Sequence, residues 1–464
     1  MLKNYNCIAA ISSPPGKGGV AIIRVSGDDA LALAAEVFFP ASKKSFTEAK
    51  PRMQTYGYII ENGERIDDVL ATYFPSPNSY TGEDIVEIAC HGGVLVTSLV
   101  LEALLKKGAR HAEAGEFTRR AFINGKLSLT EAEAIGNLLE AESREQVKLS
   151  STAGRHSLSV AITDIRSDIT GVMSSIYARI DYPDEDLGDF TDGEVREKLI
   201  CIRKKATALR DTYRTGKAIS QGIKTVIVGK PNVGKSSLYN AIVGEDRAIV
   251  TDIAGTTRDV LSESVPLGRV MLRISDTAGI RGKDGIDLVE SIGIERSEKM
   301  LQESELIFAI FDLSREFDQE DERLIASINN ANGVKIAILN KTDLEHRFDD
   351  SKLGDTFIEK IYISAKNDGF DLSEKLAKLV NNLFTDEKIV IGNGPVISSA
   401  RQNASLSRAI EAIDIALKNL DMGFSQDLVS SDIEIALEAI GELDGRSASE
   451  EIVADIFSKF CVGK

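Results

Sequence analysis

Gly229-Lys230-Pro231-Asn232-Val233-Gly234-Lys235-Ser236 follows the apolar run Thr225-Val226-Ile227-Val228 and leads into Ser237-Leu238-Tyr239-Asn240-Ala241-Ile242. An apolar strand, a glycine-rich turn and a helix start, in that order, make a loop that cradles phosphate. Gly229 and Gly234 let the backbone wrap closely round an anion, so that several amides point inward. The helix that follows adds the positive end of its dipole. Lys235 supplies a mobile charge for β- and γ-phosphates, and the Ser236 hydroxyl is placed to ligate Mg²⁺. Alone, the stretch could still be a glycine-rich turn that binds nothing.

Four further elements downstream decide the matter. Gly255-Thr256-Thr257-Arg258-Asp259 is a polar loop in which one threonine could complete the Mg²⁺ shell and sense the γ-phosphate. Asp276-Thr277-Ala278-Gly279 follows Ile274-Ser275; its aspartate can hold the metal through water and its glycine amide can reach the γ-phosphate. Ile336-Ala337-Ile338-Leu339 runs into Asn340-Lys341-Thr342-Asp343. The Asp343 carboxylate can accept from both the ring N–H and the exocyclic amine of guanine, an edge that adenine lacks, which selects GTP over ATP. Ser364-Ala365-Lys366, after Ile361-Tyr362-Ile363, can contact the guanine oxygen through its backbone. These motifs, at strand ends and in this order, predict a Ras-like doubly wound sheet that binds GTP. Ras-type GTPases place a water-orienting glutamine directly after the Asp-x-x-Gly glycine. Ile280 stands there and can neither orient water nor donate a hydrogen bond. A distant carboxylate, a cation or a second copy of the domain must do that work.

Charge narrows the partners. The 464 residues are 43% hydrophobic and 27% charged, with a net charge of −17. Those are the proportions of an ordinary globular protein, and the length suggests about three domains. The acid surplus argues against a free-standing nucleic-acid surface, so action on nucleic acid needs a local basic patch or a partner. Cys7, Cys90, Cys201 and Cys461 are far apart, with no Cys-x-x-Cys and no histidine clip. Neither a zinc site nor a disulfide framework is expected, and a reducing cytosol fits. The N-terminus is too polar and short for a secretion signal, and no run of about 18 apolar residues exists. A cytoplasmic protein with no membrane attachment is expected.

The flanks read differently from the centre. Residues 1–120 are mixed α/β: strands at 8–11, 20–25 and 85–88, and helices over 30–39 and 94–106. Pro14-Pro15-Gly16-Lys17-Gly18-Gly19 lacks a following Lys-Ser or Lys-Thr pair and reads as a hairpin loop. Residues 121–217 are helical. Thr130 with Glu133 signals a capping box, with Ala132, Ile135, Leu138 and Leu139 on one face. Ile162, Ile165, Ile169, Val172, Met173, Ile176, Tyr177 and Ile180 form an apolar stripe on a second helix. The phosphate-loop domain occupies 218–384. Residues 385–464 hold three helical segments, about 398–420, 428–443 and 448–460. The two helical blocks are expected to pack together, with the α/β domain inserted between them.

Over essentially its full length the chain resembles the MnmE (TrmE) family of tRNA-modification GTPases. The resemblance rests on the 14–19 segment, Tyr80-Thr81-Gly82-Glu83-Asp84, Cys90-His91-Gly92-Gly93 and Gly115-Glu116-Phe117-Thr118. It also rests on Arg120 to Leu127, Gly255-Thr256-Thr257-Arg258-Asp259, Gly293-Ile294-Glu295-Arg296 and the terminal Cys461-Val462-Gly463-Lys464, the most diagnostic feature. It implies an N-terminal α/β domain (1–120) that dimerises and binds a tetrahydrofolate. It implies a discontinuous helical domain (121–217 and 385–464) and an inserted G domain (218–384). Such proteins form homodimers and act with an FAD-containing MnmG (GidA) partner, in a heterotetramer or larger complex. They add an aminomethyl-type or carboxymethylaminomethyl group at carbon 5 of the wobble uridine in certain tRNAs. A partner that binds most of the phosphates would reconcile an acidic chain with tRNA.

The resemblance also implies site residues. Potassium would be held by Asn232, Thr251, Ile253 and Thr256, and Mg²⁺ by Ser236 and Thr257. Val233, Gly234, Lys235, Ser237, Asp252, Ala254, Gly255, Asp276, Thr277, Ala278 and Gly279 would contact the nucleotide phosphates and Mg²⁺. Asn340, Lys341, Asp343, Ser364, Ala365 and Lys366 would read guanine. Glu290 would orient water, filling the vacancy at Ile280, although Arg281 to Leu288 is longer than the usual family loop. Arg24, Glu87, Lys126 and Lys464 would bind 5-formyl-tetrahydrofolate or a related tetrahydrofolate. Read from the residues alone, Glu87 is a strand-face charge and Arg24 its salt-bridge partner. Cys461 is either a proton donor or thiol near the folate, or simple packing at a helix end. Two other functions remain open at this level: a GTP-gated ribosome-assembly factor and a regulatory scaffold without useful turnover. Folate binding separates the first from the family reading, and potassium-dependent turnover the second.

Overall fold

The computed structural model describes residues 6–42, 44–181, 191–243, 262–275, 298–367 and 369–464. Thr251, Asp252, Ile253, Ala254, Gly255, Thr256, Thr257, Asp276, Thr277, Ala278, Gly279 and Glu290 lie outside the described residues. So do Arg281 to Leu288 and Gly293-Ile294-Glu295-Arg296. The chain divides into two compact units: Met1–Leu139 with Ile162–Phe190 and Ile415–Lys464, and Glu140–Ala161 with Thr191–Asp414.

The first unit holds a sheet of β1 (Ile8–Ile11), β2 (Val20–Ser26), β3 (Phe38–Pro40), β4 (Gln54–Glu61), β5 (Glu64–Phe74), β6 (Ile85–His91) and β7 (Arg110–His111). Its order is β3-β4-β5-β6-β2-β1-β7. Strand alternation sends Ile23, Val25, Val86, Ile88, Val69 and Ala71 to one face, where they pack with Val100, Ala103 and Leu104 of the helix Val94–Lys106. The opposite face carries Ala10, Arg24 and Glu87 in register on three neighbouring strands. That register matters below.

Two local readings differ from expectation. The helix expected over 30–39 ends at Ala34, and Phe38 and Phe39 enter β3. Aromatic residues before Pro40 suit an edge strand better than a last helical turn. Phe38 pairs with Ile59 and packs edge-on to Phe46 at 4.7 Å. The capping box lies two residues earlier than expected. Ser128 Oγ accepts from the Glu131 amide at 3.2 Å, and Glu131 Oε2 accepts from the Ser128 amide at 2.8 Å. Thr130 is buried inside the helix Leu129–Leu139. The face of that helix also shifts, for Leu139 is 48% exposed while Leu129 and Ala132 join Ile456, Phe457 and Phe460.

The helical stripe from Ile162 to Ile176 is buried on Thr152–Asp181, although Tyr177 at its end is exposed. Within this unit the early and late helical blocks touch. Arg166 Nη1 lies 3.3 Å from Asp444 Oδ2, and Tyr177 donates to Glu434.

The second unit is built on β8 (Ile223–Gly229), β9 (Ser262–Leu267), β10 (Val270–Ser275), β11 (Leu306–Asp312), β12 (Val334–Asn340) and β13 (Glu359–Ile363). The order is β13-β12-β11-β8-β10-β9, with every pairing parallel except β9 with β10. All of β11 is buried, as a central strand covered on both faces requires. Phe308 and Ile310 face one apolar cluster while Ile307, Ala309 and Phe311 face another. β8 lies between β10 and β11, so the loop leaving its carboxyl end opens where the winding changes direction, the usual ligand position in such sheets. Among the described residues, no helix is long and apolar enough to cross a membrane.

Candidate functional site

The loop after β8 has an unusual backbone. Gly229 has φ 156°, Gly234 has φ 109°, and Asn232 adopts a left-handed φ of 62°. Asparagine tolerates that region better than most side chains, so its identity there has a conformational reason as well as a chemical one. Gly234 has a steric one. A Cβ on it would stand 2.1 Å from Asn340 Nδ2. The helix Lys235–Val243 begins directly after the turn.

Lys235 donates to the carbonyls of Gly229 and Lys230, each at 2.8 Å. Burial pushes its ammonium below the ordinary lysine range. A half-buried cation held by neutral carbonyls gains when an anion arrives, which suits phosphate. Ser236 and Ser237 are exposed on the first turn of that helix.

The turn after β12 is fastened to the loop after β8. Asn340, 4% exposed at the end of β12, donates to Val233 O at 2.7 Å and accepts from the Ala365 amide at 2.9 Å. One side chain therefore joins the phosphate loop, the Asn-Lys-x-Asp turn and the loop after β13. Lys341 adopts φ 69° and pairs with Asp312 Oδ2 at 2.5 Å. Burial opposes ionisation of Asp312, but Lys341 and Ser314 outweigh it and hold the carboxyl below its usual range. Asp343 is exposed, and its Oδ1 accepts from Ser364 Oγ at 2.8 Å. That bond orients the carboxylate. Lys366 is exposed.

A second cluster forms on the open sheet face of the first unit. Arg24 donates from Nε (2.9 Å) and Nη2 (2.7 Å) to Glu87 Oε1, directly across β2 and β6. The guanidinium also lies 5.5 Å from the Tyr80 ring and 5.7 Å from the Phe117 ring. The chain's own tail docks here. Ser12 Oγ donates to Gly463 O at 2.9 Å, and the Phe117 amide donates to Lys464 O at 3.2 Å. Val462 bridges to Ala114, and a Cβ on Gly463 would meet Ile11 O at 2.3 Å. Lys126 Nζ donates to Pro77 O at 3.0 Å, on the segment that carries Tyr80. Arg24, which holds Glu87, and the Lys464 main chain thus share Phe117 as a neighbour, while Lys126 stands beside the segment that carries Tyr80.

Sequence reading passed over the residues that fix this loop. Ser26 Oγ bonds Thr81 Oγ1 at 2.7 Å and Glu83 Oε2 at 2.8 Å. Arg120 Nη1 reaches Glu83 Oε2 at 2.9 Å and Nη2 reaches Glu116 Oε1 at 3.3 Å. By its residues Tyr80-Thr81-Gly82-Glu83-Asp84 reads as a polar turn between strands, yet Thr81 is fully buried and the run is an anchor. Cys7 and Cys90 are buried, which pushes both thiols up to about 11, so neither is a thiolate near neutral pH. Cys461 is exposed, and its carbonyl accepts from the Gly115 and Lys464 amides.

Comparison with known proteins agrees with this geometry. The family model described as "GTP-binding protein TrmE N-terminus" matches residues 7–126, and that described as "MnmE helical domain" matches residues 129–461. A "tRNA modification GTPase MnmE" of Clostridioides difficile is 40% identical over 461 residues, 98% of this chain and 99% of that one. A protein of the same description from Lactococcus lactis subsp. lactis is 39% identical over 466 residues, all of both chains. Among solved structures, Era of Aquifex aeolicus aligns with 41% of this chain and 66% of its own, at 23% identity and a TM-score of 0.26.

Proposed function

Since the chain belongs to the MnmE (TrmE) family of tRNA modification GTPases, we propose that it is a potassium-stimulated GTP hydrolase acting on the wobble uridine of certain tRNAs. With an FAD-containing MnmG-type partner it adds an aminomethyl or carboxymethylaminomethyl group at C5, using a tetrahydrofolate bound by its own N-terminal region. The observation that carries the folate part is the Arg24–Glu87 pair with the docked tail beside it. A carboxylate suits the amino-pyrimidinone edge of a pterin for the reason Asp343 suits guanine: it accepts from two adjacent N–H donors. Tyr80 and Phe117 supply aromatic surface next to it. Lys126 and Lys464 suit the formyl oxygen or the glutamate tail. A tetrahydrofolate held there would supply a one-carbon unit.

In the G domain, Lys235 and the amides of the loop bind the β- and γ-phosphates, and Asp343, Ser364 and Ala365 hold the guanine. Ser236 and Thr257 would hold Mg²⁺. Asn232, Thr251, Ile253 and Thr256 would hold potassium, whose charge offsets that developing on the phosphates as an arginine finger does elsewhere. Glu290 orients the attacking water. A homodimer brings two such domains within one assembly, and the partner supplies the positive field that a chain of net charge −17 lacks.

Exchange of monovalent salt tests the potassium assignment. GTP turnover in K⁺ is expected to exceed that in Na⁺ by about 10-fold or more, the scale of one lost transition-state charge contact. Asn232→Gly removes the side chain without the left-handed strain that alanine would meet. It should abolish the difference while GDP binding survives; stimulation that persists in this variant refutes the assignment.

A further inference from the structure

The phosphate loop carries a second lysine to which nucleotide chemistry gives no role. Lys230 follows Gly229, and its ammonium pairs with Asp318 Oδ1 and, at 2.7 Å, with Asp321 Oδ2. Its side chain is 13% exposed and that of Asp321 only 7%. The two carboxylates are the capping box of the helix Gln319–Asn329. Asp318 accepts from the Glu320 and Asp321 amides, and Asp321 accepts from the Asp318 amide. Lys230 therefore grips a helix end whose own bonds already fix it. Burial opposes the charge on Lys230, and the hydrogen bonds it donates to Asp318 and Asp321 outweigh it, so the ammonium stays protonated.

The loop has reason to need such a tether. Gly229, Asn232 and Gly234 all sit at positive φ, and two of the three are glycines with large conformational freedom to lose. One side of the loop is held by Asn340 on Val233 O. The other side is held through Lys230, whose carbonyl accepts from the phosphate-binding Lys235 while its ammonium holds Asp321. The same short segment is anchored at its start by the Asp312–Lys341 pair, so the stretch from Asp312 to Asp321 touches both halves of the nucleotide site.

We propose that Lys230 is a positioning residue for nucleotide binding. Clamped between Asp318 and Asp321, it holds the first turn of the phosphate loop so that the loop amides and Lys235 are already aimed when phosphate arrives. A tether on the phosphate side acts on GDP and GTP alike and chiefly on their release. Guanine selection, which lies with Asp343, is untouched. The proposal rests on GTP binding by this chain, and not on the potassium, folate or partner assignments.

Stopped-flow release of mant-GDP from the full-length chain tests it. Lys230→Met should speed release by about 10-fold or more, the scale of one lost charge-assisted bond, with an equal fold-loss of mant-GTP affinity. Lys230→Arg should stay within about threefold of the parent, because a guanidinium can bridge the same carboxylates. Asp321→Asn breaks the same tether, so Lys230→Met with Asp321→Asn should release no faster than the faster single variant. Release from Lys230→Met within about twofold of the parent, or fold-changes that multiply in the double variant, would overturn the proposal. Should Lys230→Met fail to fold, Asp318→Asn serves in its place, since asparagine keeps the helix cap. About threefold faster release is expected there, and unchanged release would equally overturn the tether. Failure of the parent chain to bind mant-GDP would refute the GTPase reading itself.

Discussion

Asp343→Asn is expected to weaken GTP binding by about 10² to 10⁴-fold, the loss of two hydrogen bonds to a charged acceptor at 1.5–3 kcal/mol each. The carboxylate is held by Ser364 Oγ at 2.8 Å, so it offers guanine an oriented acceptor at no further ordering cost. Asparagine presents one acceptor and one donor in place of two acceptors. Its amide would face the exocyclic amine of guanine with a donor, and an N–H against an N–H is repulsive. Xanthine carries a carbonyl where guanine carries that amine, so the variant should gain xanthosine triphosphate as it loses GTP. Competition against mant-GDP by the two nucleotides gives both numbers. A variant that keeps GTP within about fivefold, or a parent chain that binds ATP equally well, would remove Asp343 from the base-reading role.

Glu87→Ala is expected to lower affinity for 5-formyl-tetrahydrofolate by about 100-fold, as for a doubly hydrogen-bonded carboxylate, while leaving GDP affinity unchanged. The two sites lie in different compact units, so a shared loss would point to unfolding. The variant leaves Arg24 without its partner in a pair whose side chains are only 16% and 27% exposed. A stability loss of about 1–3 kcal/mol is expected, short of the cost at a fully buried pair. Thermal melting separates the two effects. Calorimetry on a folded Glu87→Ala chain is decisive: folate bound as tightly as by the parent would return Glu87 to a plain strand-face ion pair.

That plain reading is what the residues of the N-terminal region offer by themselves. Arg24 and Glu87 do pair across β2 and β6, and nothing in their local sequence announces a ligand. The convergence of the tail on Phe117 links residues more than 340 positions apart, and local pattern carries no such information. The central sheet was more legible, because the apolar runs Thr225–Val228, Ile336–Leu339 and Ile361–Ile363 each lead into a motif and form β8, β12 and β13, whereas β11 was not read. β4 and β5 show an avoidable miss. Asn62-Gly63 joins them, at φ 51° and 86°, the strongest short hairpin signal there is. The charged residues Glu61, Glu64, Arg65, Asp67 and Asp68 masked the alternation on either side. The helix expected over 30–39 failed for a tertiary reason, since Phe38 is drawn into the core by Phe46 and Ile59.

Asn232, Lys235 and Ser236 are placed by the loop geometry, whereas Glu290, Thr251, Ile253, Thr256 and Thr257 enter through the family alone. Their roles are proposals that turnover assays with single variants can rank, with Glu290→Ala as the first.

The most direct test of the whole is mass spectrometry of nucleosides from the tRNA of cells lacking this chain. Loss of the C5 aminomethyl-type wobble uridines is expected, with restoration by the parent chain and not by Glu87→Ala or a chain ending before Cys461. Wobble uridines that keep their full modification in those cells would contradict the account.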